Sequence, residues 1–373
     1  MKDEVEPVNS RKGMVLFLGF MTCAAVGLVL RVTAPVILPV TLALFLAMAI
    51  HPLVVLLQRW YLPRIVSIFL AIGIILLGLY LVGVVLFSSA RTIVAVYPRY
   101  ERRLTDIYVS LAGFFEFSYD QRLSFLDNLW SQWGVRSKIR DITLSLSNGL
   151  ITLLREALMV VLIMAFVLLE TAFFKDKIDL AFEHKRSGQL KKILADVVRQ
   201  ISRYLSAKFF ISLATGMAVT IGLSLTGLEF AVIWGLLQFA LNFIPNIGSI
   251  AVGAGAGLFA LLQFWPDPAP IIATVLIMLG INMIIGNILE PKIMGDNLGI
   301  APIAVLLSLM IWGWLWGFAG LILAVPMTVI VKILCENIPM LEPVSILLGS
   351  RKAVLAKKAE IQVNCTGGGH DKG

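Results

Sequence analysis

The chain is 373 residues long, 59% hydrophobic and only 14% charged, with a mean hydropathy of +0.91; a soluble domain carries a far more even balance, so this reads as an all-α polytopic membrane protein. A formal net charge of +8 would suggest nucleic acid in a soluble protein, but Lys and Arg gather here between apolar segments and at the ends, which speaks for membrane topology and anionic lipid instead. Cys23, Cys335 and Cys365 and the three histidines are scattered, and there is no phosphate loop, zinc spacing or nucleophile elbow; that argues against an ATP-driven pump or an enzyme and calls for no metal or cofactor.

Lys2, Arg11 and Lys12 precede the apolar run from Met14 to Leu30. The basic flank predicts a cytoplasmic N-terminus, and without a small-residue cleavage site the run reads as a retained span and not as a signal peptide. A second span from Val36 to Leu57 leads to Arg59 and Arg64 on the cytoplasmic side, and a third, Ile65 to Phe87, runs outward. From Ser88 to Ser147 charge and aromatic content rise, and Leu123, Leu126, Leu129, Trp130 and Trp133 recur at helical spacing; this predicts an external helical subdomain anchored at the membrane interface by its tryptophans. The fourth span, Gly149 to Leu169, returns the chain inward.

Between Lys185 and Lys208, Leu190, Ile193, Leu194, Val197, Val198, Ile201, Tyr204 and Leu205 form one apolar face, with Lys191, Lys192, Arg199 and Arg203 between them. The pattern is that of an amphipathic helix, placed on an anionic leaflet or packed against the bundle or a neighbouring subunit, the leaflet being preferred. The fifth span covers Phe209 to Leu225. Two arms follow, Phe230 to Ile244 and Ile247 to Phe264, joined by a polar break at Asn242–Ser249. At 1.5 Å per residue each arm reaches roughly 22 to 27 Å, marginal for a hydrocarbon core, so a hairpin with a polar tip and two full spans both remain open. After Trp265–Pro270, a span from Ile271 to Leu289 runs inward. The apolar block Ile303 to Leu334 exceeds one untilted span and is interrupted around Trp312–Gly317, which fits a second hairpin. The count is about eight transmembrane helices with hairpin-like broken segments. Its alternation of span and broken segment in opposite directions predicts an inverted repeat in the C-terminal half.

The stretch from Asn287 to Pro302 carries Glu290, Lys292 and Asp296 between apolar segments, where a carboxylate survives with a partner, water or a task. Pro291 lacks an amide hydrogen and disfavours helix at Glu290, so the helix arriving from Pro270 should end or kink there, and Gly295 allows an irregular backbone beyond it. An interfacial loop in water and headgroups explains the same residues. At the other break Asn242, Asn246 and Ser249 offer amides and a hydroxyl beside Pro245 and Gly248, suited to a neutral polyol or to a dehydrated cation; a plain helix-to-helix turn is the alternative. The candidate binding or gating residues are therefore Asn242, Pro245, Asn246, Gly248, Ser249, Asn287, Glu290, Pro291, Lys292, Gly295 and Asp296.

Phe243-Ile244-Pro245-Asn246-Ile247-Gly248, the Asn287–Pro302 stretch and Gly317 through Pro326 together resemble the autoinducer-2 exporter family of bacterial membrane permeases along all but the two tails. The resemblance implies a multi-pass protein of the bacterial inner membrane, secondary transport, homo-oligomeric assembly and, for some members, export of the autoinducer-2 furanone; others are similar to sodium or lithium/proton antiporters, in which Glu290 or Asp296 would carry the proton. The expected cargo is a small polar molecule or a cation, and the lipid bilayer is the other partner. A membrane scaffold recruiting partners through its external part is the reading from a different class. The expected organisation is a three-span region (1–87), the external subdomain (88–147), the fourth span and amphipathic helix (148–208), a transport core with broken helices (209–340) and a cytoplasmic tail (341–373).

Overall fold

The computed structural model describes residues 10–114, 135–171, 174–181, 184–245, 247–294, 299–338, 341–350 and 355. Their regular structure is helical, as expected for segments whose backbone polar groups must be satisfied without water. In chain order the helices are α1 (Ser10–Val32), α2 (Ala34–Arg59), α3 (Arg64–Phe114), α4 (Val135–Glu170), α5 (Phe174–Ala181), α6 (His184–Leu225), α7 (Ala231–Leu241), α8 (Ile247–Phe264) and α9 (Pro268–Ile281). A π-helical segment, Asn282–Leu289, then leads directly into α10 (Glu290–Met294), and α11 (Pro302–Asn337) and α12 (Glu342–Leu348) follow. Among the described residues six helical stretches are long and apolar enough to cross a membrane, with two shorter apolar helices besides; α4 holds the predicted fourth span.

Two helices are longer than the sequence suggested. α3 passes Ser88 without a break and continues to Phe114, while Leu123, Leu126, Leu129, Trp130 and Trp133 lie outside the described residues. α6 fuses the amphipathic segment with the fifth span into one helix of 42 residues. Its face bearing Val197, Ile201, Tyr204 and Leu205 is buried in the protein, which corrects the expectation that this face lies on the membrane. The cause is the continuing period: Lys208, Ser212, Thr215, Val219 and Leu223 extend the same stripe, and all are buried. At its N-terminus α6 is tied to α5, where Ser187 donates to Asp179 at 2.6 Å and Lys191 pairs with the same carboxylate.

The chain forms two compact units, Met1–Leu44 with Gly299–Gly373, and Phe45–Leu298. In the first, α11 folds back on itself. Ser308 donates to the Ala324 carbonyl at 2.8 Å and meets the Thr328 hydroxyl, whereas a straight helix would hold residues sixteen positions apart about 24 Å from one another. The reversal is at Gly317, with φ 59° and ψ −136°, a conformation open essentially to glycine alone. The arms approach so closely that a Cβ on Gly320 would lie 1.8 Å from the Trp312 carbonyl oxygen. Trp316 donates to the Leu30 carbonyl of α1 at 3.1 Å, and Arg31 stacks over Trp314 at 4.6 Å. The chain after α11 returns to its start, with Ala301 N–H donating to Leu348 and Ser350 N–H to Gly299.

In the second unit α7 and α8 form a hairpin of their own. Its open end is closed by Gln263 of α8, whose amide donates to the Gly227 carbonyl at 2.9 Å and accepts from Glu229 N–H at 2.8 Å. Its outer corner is clamped by α3: Arg99 pairs with Glu229 at 2.9 Å, and the Tyr100 hydroxyl bonds the same carboxylate. Burial, then the Glu229 carboxylate, raise the Tyr100 phenol well above its ordinary pKa. The eleven residues of α7 reach only about 16 Å, roughly half a hydrocarbon core. Ala256 and Ala260 of α8 pack with Val219 and Leu223 of α6 and Met278 of α9 in one apolar core. α6 and α7 touch backbone to backbone, since a Cβ on Gly235 would lie 1.8 Å from Thr220 Oγ1 and 2.6 Å from the Gly216 carbonyl.

Candidate functional site

The tip of the α7–α8 hairpin, the middle of α6 and the π-helical segment converge on one cavity of about 250 Å³, inside the second unit. The hairpin supplies Asn242, Pro245 and Ser249; the segment after α9 supplies Asn282, Gly286, Asn287, Glu290, Pro291 and Met294; α6 supplies Lys208. The two polar breaks picked out in the sequence, some forty residues apart, thus face one space.

The π geometry explains how a proline enters an unbroken helix. Pro291 donates no hydrogen bond and its ring would press on the carbonyl one α-turn earlier. Widening the preceding turns avoids this, and the Glu290 N–H bonds the Ile285 carbonyl, five residues back. The expectation that the helix ends or kinks at Glu290 is therefore corrected: it continues to Met294. The wide turn is also tight inside, because a Cβ on Gly286 would approach Asn282 Oδ1 to 2.9 Å.

Lys208 forms an ion pair in the lining of the cavity. Its side chain is 2% exposed and its ammonium binds Glu290, whose side chain is 22% exposed. A buried ammonium needs a carboxylate and further acceptors to offset its lost hydration, so the pair fixes the π segment against α6. Behind it runs a neutral chain of hydrogen bonds. Gln238 Nε2 donates to Ser249 Oγ at 3.0 Å, Ser249 donates to Asn242 Oδ1 at 3.3 Å, and Asn242 Nδ2 donates to Ser212 Oγ at 3.0 Å. One lysine and one glutamate make the charged lining neutral overall.

Of the residues singled out in the sequence, Asn242, Pro245, Ser249, Asn287, Glu290 and Pro291 line this cavity. Gly248 does not; it packs against α7, where a Cβ would meet the Leu241 carbonyl oxygen at 1.8 Å. Lys292 is exposed and is not part of the lining, and Glu290 is paired with Lys208. Asn246, Gly295 and Asp296 lie outside the described residues. Sequence reasoning missed Lys208, Asn282, Gly286, Ser212 and Gln238. For Lys208 and Ser212 a signal existed: they fall on the extended buried stripe of α6, where a charge stands out. Asn282 and Gly286 depend on the wide turn, which helical periodicity does not reveal.

Long apolar helices, two hairpins broken at polar or glycine tips, and a polar cavity walled by helices define a membrane transport protein. The AI-2E family transporter description matches residues 15–340, and the chain belongs to that family. It is 31% identical over 356 residues to the AI-2 transport protein TqsA of Escherichia coli (strain K12), covering 92% of this chain and 98% of TqsA. It is also 31% identical over 348 residues to the "Putative transport protein YhhT" of the same strain, covering 92% and 96%. The "Putative transport protein" of Borreliella burgdorferi is 30% identical over 319 residues, covering 86% of each chain.

Proposed function

We propose that the protein is a secondary transporter of the bacterial inner membrane whose cavity between Lys208, Asn242 and Glu290 holds a small, neutral, hydrogen-bonding cargo, of which the autoinducer-2 furanone is the leading example. The observation that carries this is the neutral lining. Glu290 is engaged by Lys208, so the groups left to a cargo are amides and hydroxyls, which suit a polyol better than a bare cation. A volume of about 250 Å³ also suits a cargo smaller than a drug-sized ligand. The name of TqsA supports the same cargo class. Both termini face the cytoplasm in this reading, anionic lipid contacts the basic segments, and several copies assemble.

Sodium or lithium/proton antiport is the second reading, favoured by the presence of a carboxylate in the cavity. The two separate in proteoliposomes carrying wild type or Glu290→Gln, assayed across pH with labelled furanone and with a sodium gradient. A neutral cargo takes its hydrogen bonds from the amides and hydroxyls, and the glutamine oxygen at position 290 still accepts from Lys208, so furanone flux per mole of protein falls partially and its pH profile keeps its shape. Strong sodium-driven proton movement in wild type, abolished in Glu290→Gln, would overturn the neutral-cargo reading.

A further inference from the structure

The polar lining of the cavity has two sides. On the hairpin side the groups are spent on one another: Asn242 Nδ2 donates to Ser212 and its Oδ1 accepts from Ser249, whose oxygen takes the Gln238 amide. Lys208 and Glu290 are engaged in their ion pair. Asn282 and Asn287 line the same cavity, yet neither side chain has a hydrogen-bond partner among the described residues. On an α-helix two residues five apart point about 140° from each other. The π-turns hold about one residue more, and so bring both carboxamides to one wall.

The backbone between them is open as well. Glu290 N–H bonds the Ile285 carbonyl, so the next donor in that register is residue 291, a proline, and the Gly286 carbonyl is left without its in-register N–H. A helical carbonyl points toward the following turn, and Gly286 and Pro291 both line the cavity, so this oxygen is directed along its wall. The Asn282 amide is beside it, since a Cβ on Gly286 would come within 2.9 Å of Asn282 Oδ1.

We infer that Asn282, the Gly286 carbonyl and Asn287 are the face that grips the cargo: two carboxamides that donate and accept, and one backbone acceptor, matched to neighbouring hydroxyls of a neutral polyhydroxylated compound. This rests on the reading of the cavity as the cargo site. An anion would find the one lysine of the lining already paired. A bare cation would use the oxygens and leave both NH2 groups idle, whereas hydroxyls engage both kinds of group.

The test uses the full-length protein in proteoliposomes, with the labelled furanone and deoxy analogues each lacking one hydroxyl. It compares wild type with Asn282→Leu and Asn287→Leu, and with Ile288→Val, a change at an exposed residue outside the lining. Each leucine variant raises the furanone KM roughly three- to tenfold and leaves kcat within about twofold, as expected for lost neutral hydrogen bonds to the cargo. Ile288→Val leaves KM unchanged. For each asparagine one deoxy analogue is weak in wild type and loses little more in that asparagine's leucine variant, a pairing that a loosened fold does not reproduce. Wild-type furanone transport with KM unchanged in both leucine variants overturns the role of these residues and leaves the cargo site standing; so does a KM raised equally for the furanone and every analogue. If the leucine variants do not reach the membrane, competition in wild type decides: deoxy analogues that all compete as strongly as the furanone overturn the inference. Wild type that neither moves nor binds the furanone overturns the cargo reading and this inference together.

Discussion

Lys208 stands where an apolar residue would be expected, midway along the buried stripe of α6, and the pair with Glu290 offsets the cost of burying its charge. Removing one partner leaves the other charge enclosed, at a cost toward the lower end of the roughly 3–5 kcal/mol seen for buried pairs, because Glu290 retains some water. Lys208→Met alone should therefore lower the melting temperature in detergent and the amount of protein in the membrane more than Lys208→Met combined with Glu290→Gln. Equal losses in the single and double variants would show that the pair contributes nothing as a pair. Gly235, Gly248 and Gly320 belong to the same scale but act through absence, since each lies against backbone or side-chain atoms that a methyl group would strike.

At the scale of elements, both hairpins hold their arms together through polar side chains: Gln238 and Ser249 in one, Ser308 and Thr328 in the other. The second depends on Gly317, and an alanine there must hold a backbone strained by about 1–3 kcal/mol. Gly317→Ala should reduce the thermal stability of the purified protein, while alanine at Gly73, which has open space around it, should change it little; matching effects would remove the special role of the turn. Much of this was legible in the chain, because Pro245 and Gly317 interrupt long apolar runs and such interruptions require a reversal or a kink. The hydrogen bonds across each hairpin were not legible, since they join residues whose separation has no helical meaning until the arms fold back. The fusion of α6 was hidden for another reason. A change from basic to apolar sequence near Phe209 looks like a boundary, although the buried face continues through it in phase.

For the whole molecule the charge pattern predicts sidedness. On that pattern α3 beyond its span should be external and α5 with the start of α6 cytoplasmic. In a variant lacking the native cysteines, a cysteine at Thr92 should react with an impermeant maleimide in intact cells, and one at Leu180, which is 89% exposed, only after permeabilisation. The reverse pattern would invert the topology. The composition made a many-span membrane protein plain from the outset, whereas the meeting of Lys208 with Glu290 follows from the three-dimensional path alone. The π-helical segment between them has one more consequence. Its turns hold about one residue more than α-turns, so they act as an indexing device between α9, which packs on α8, and the part bearing Glu290. Were the segment to tighten into α-helix with no residue removed, everything beyond it would rotate by about 100° relative to α9. Glu290 would then swing off Lys208 while the core contacts of α9 stayed in place, so a single slip in helical register is enough to couple the state of the cavity to the state of its ion pair.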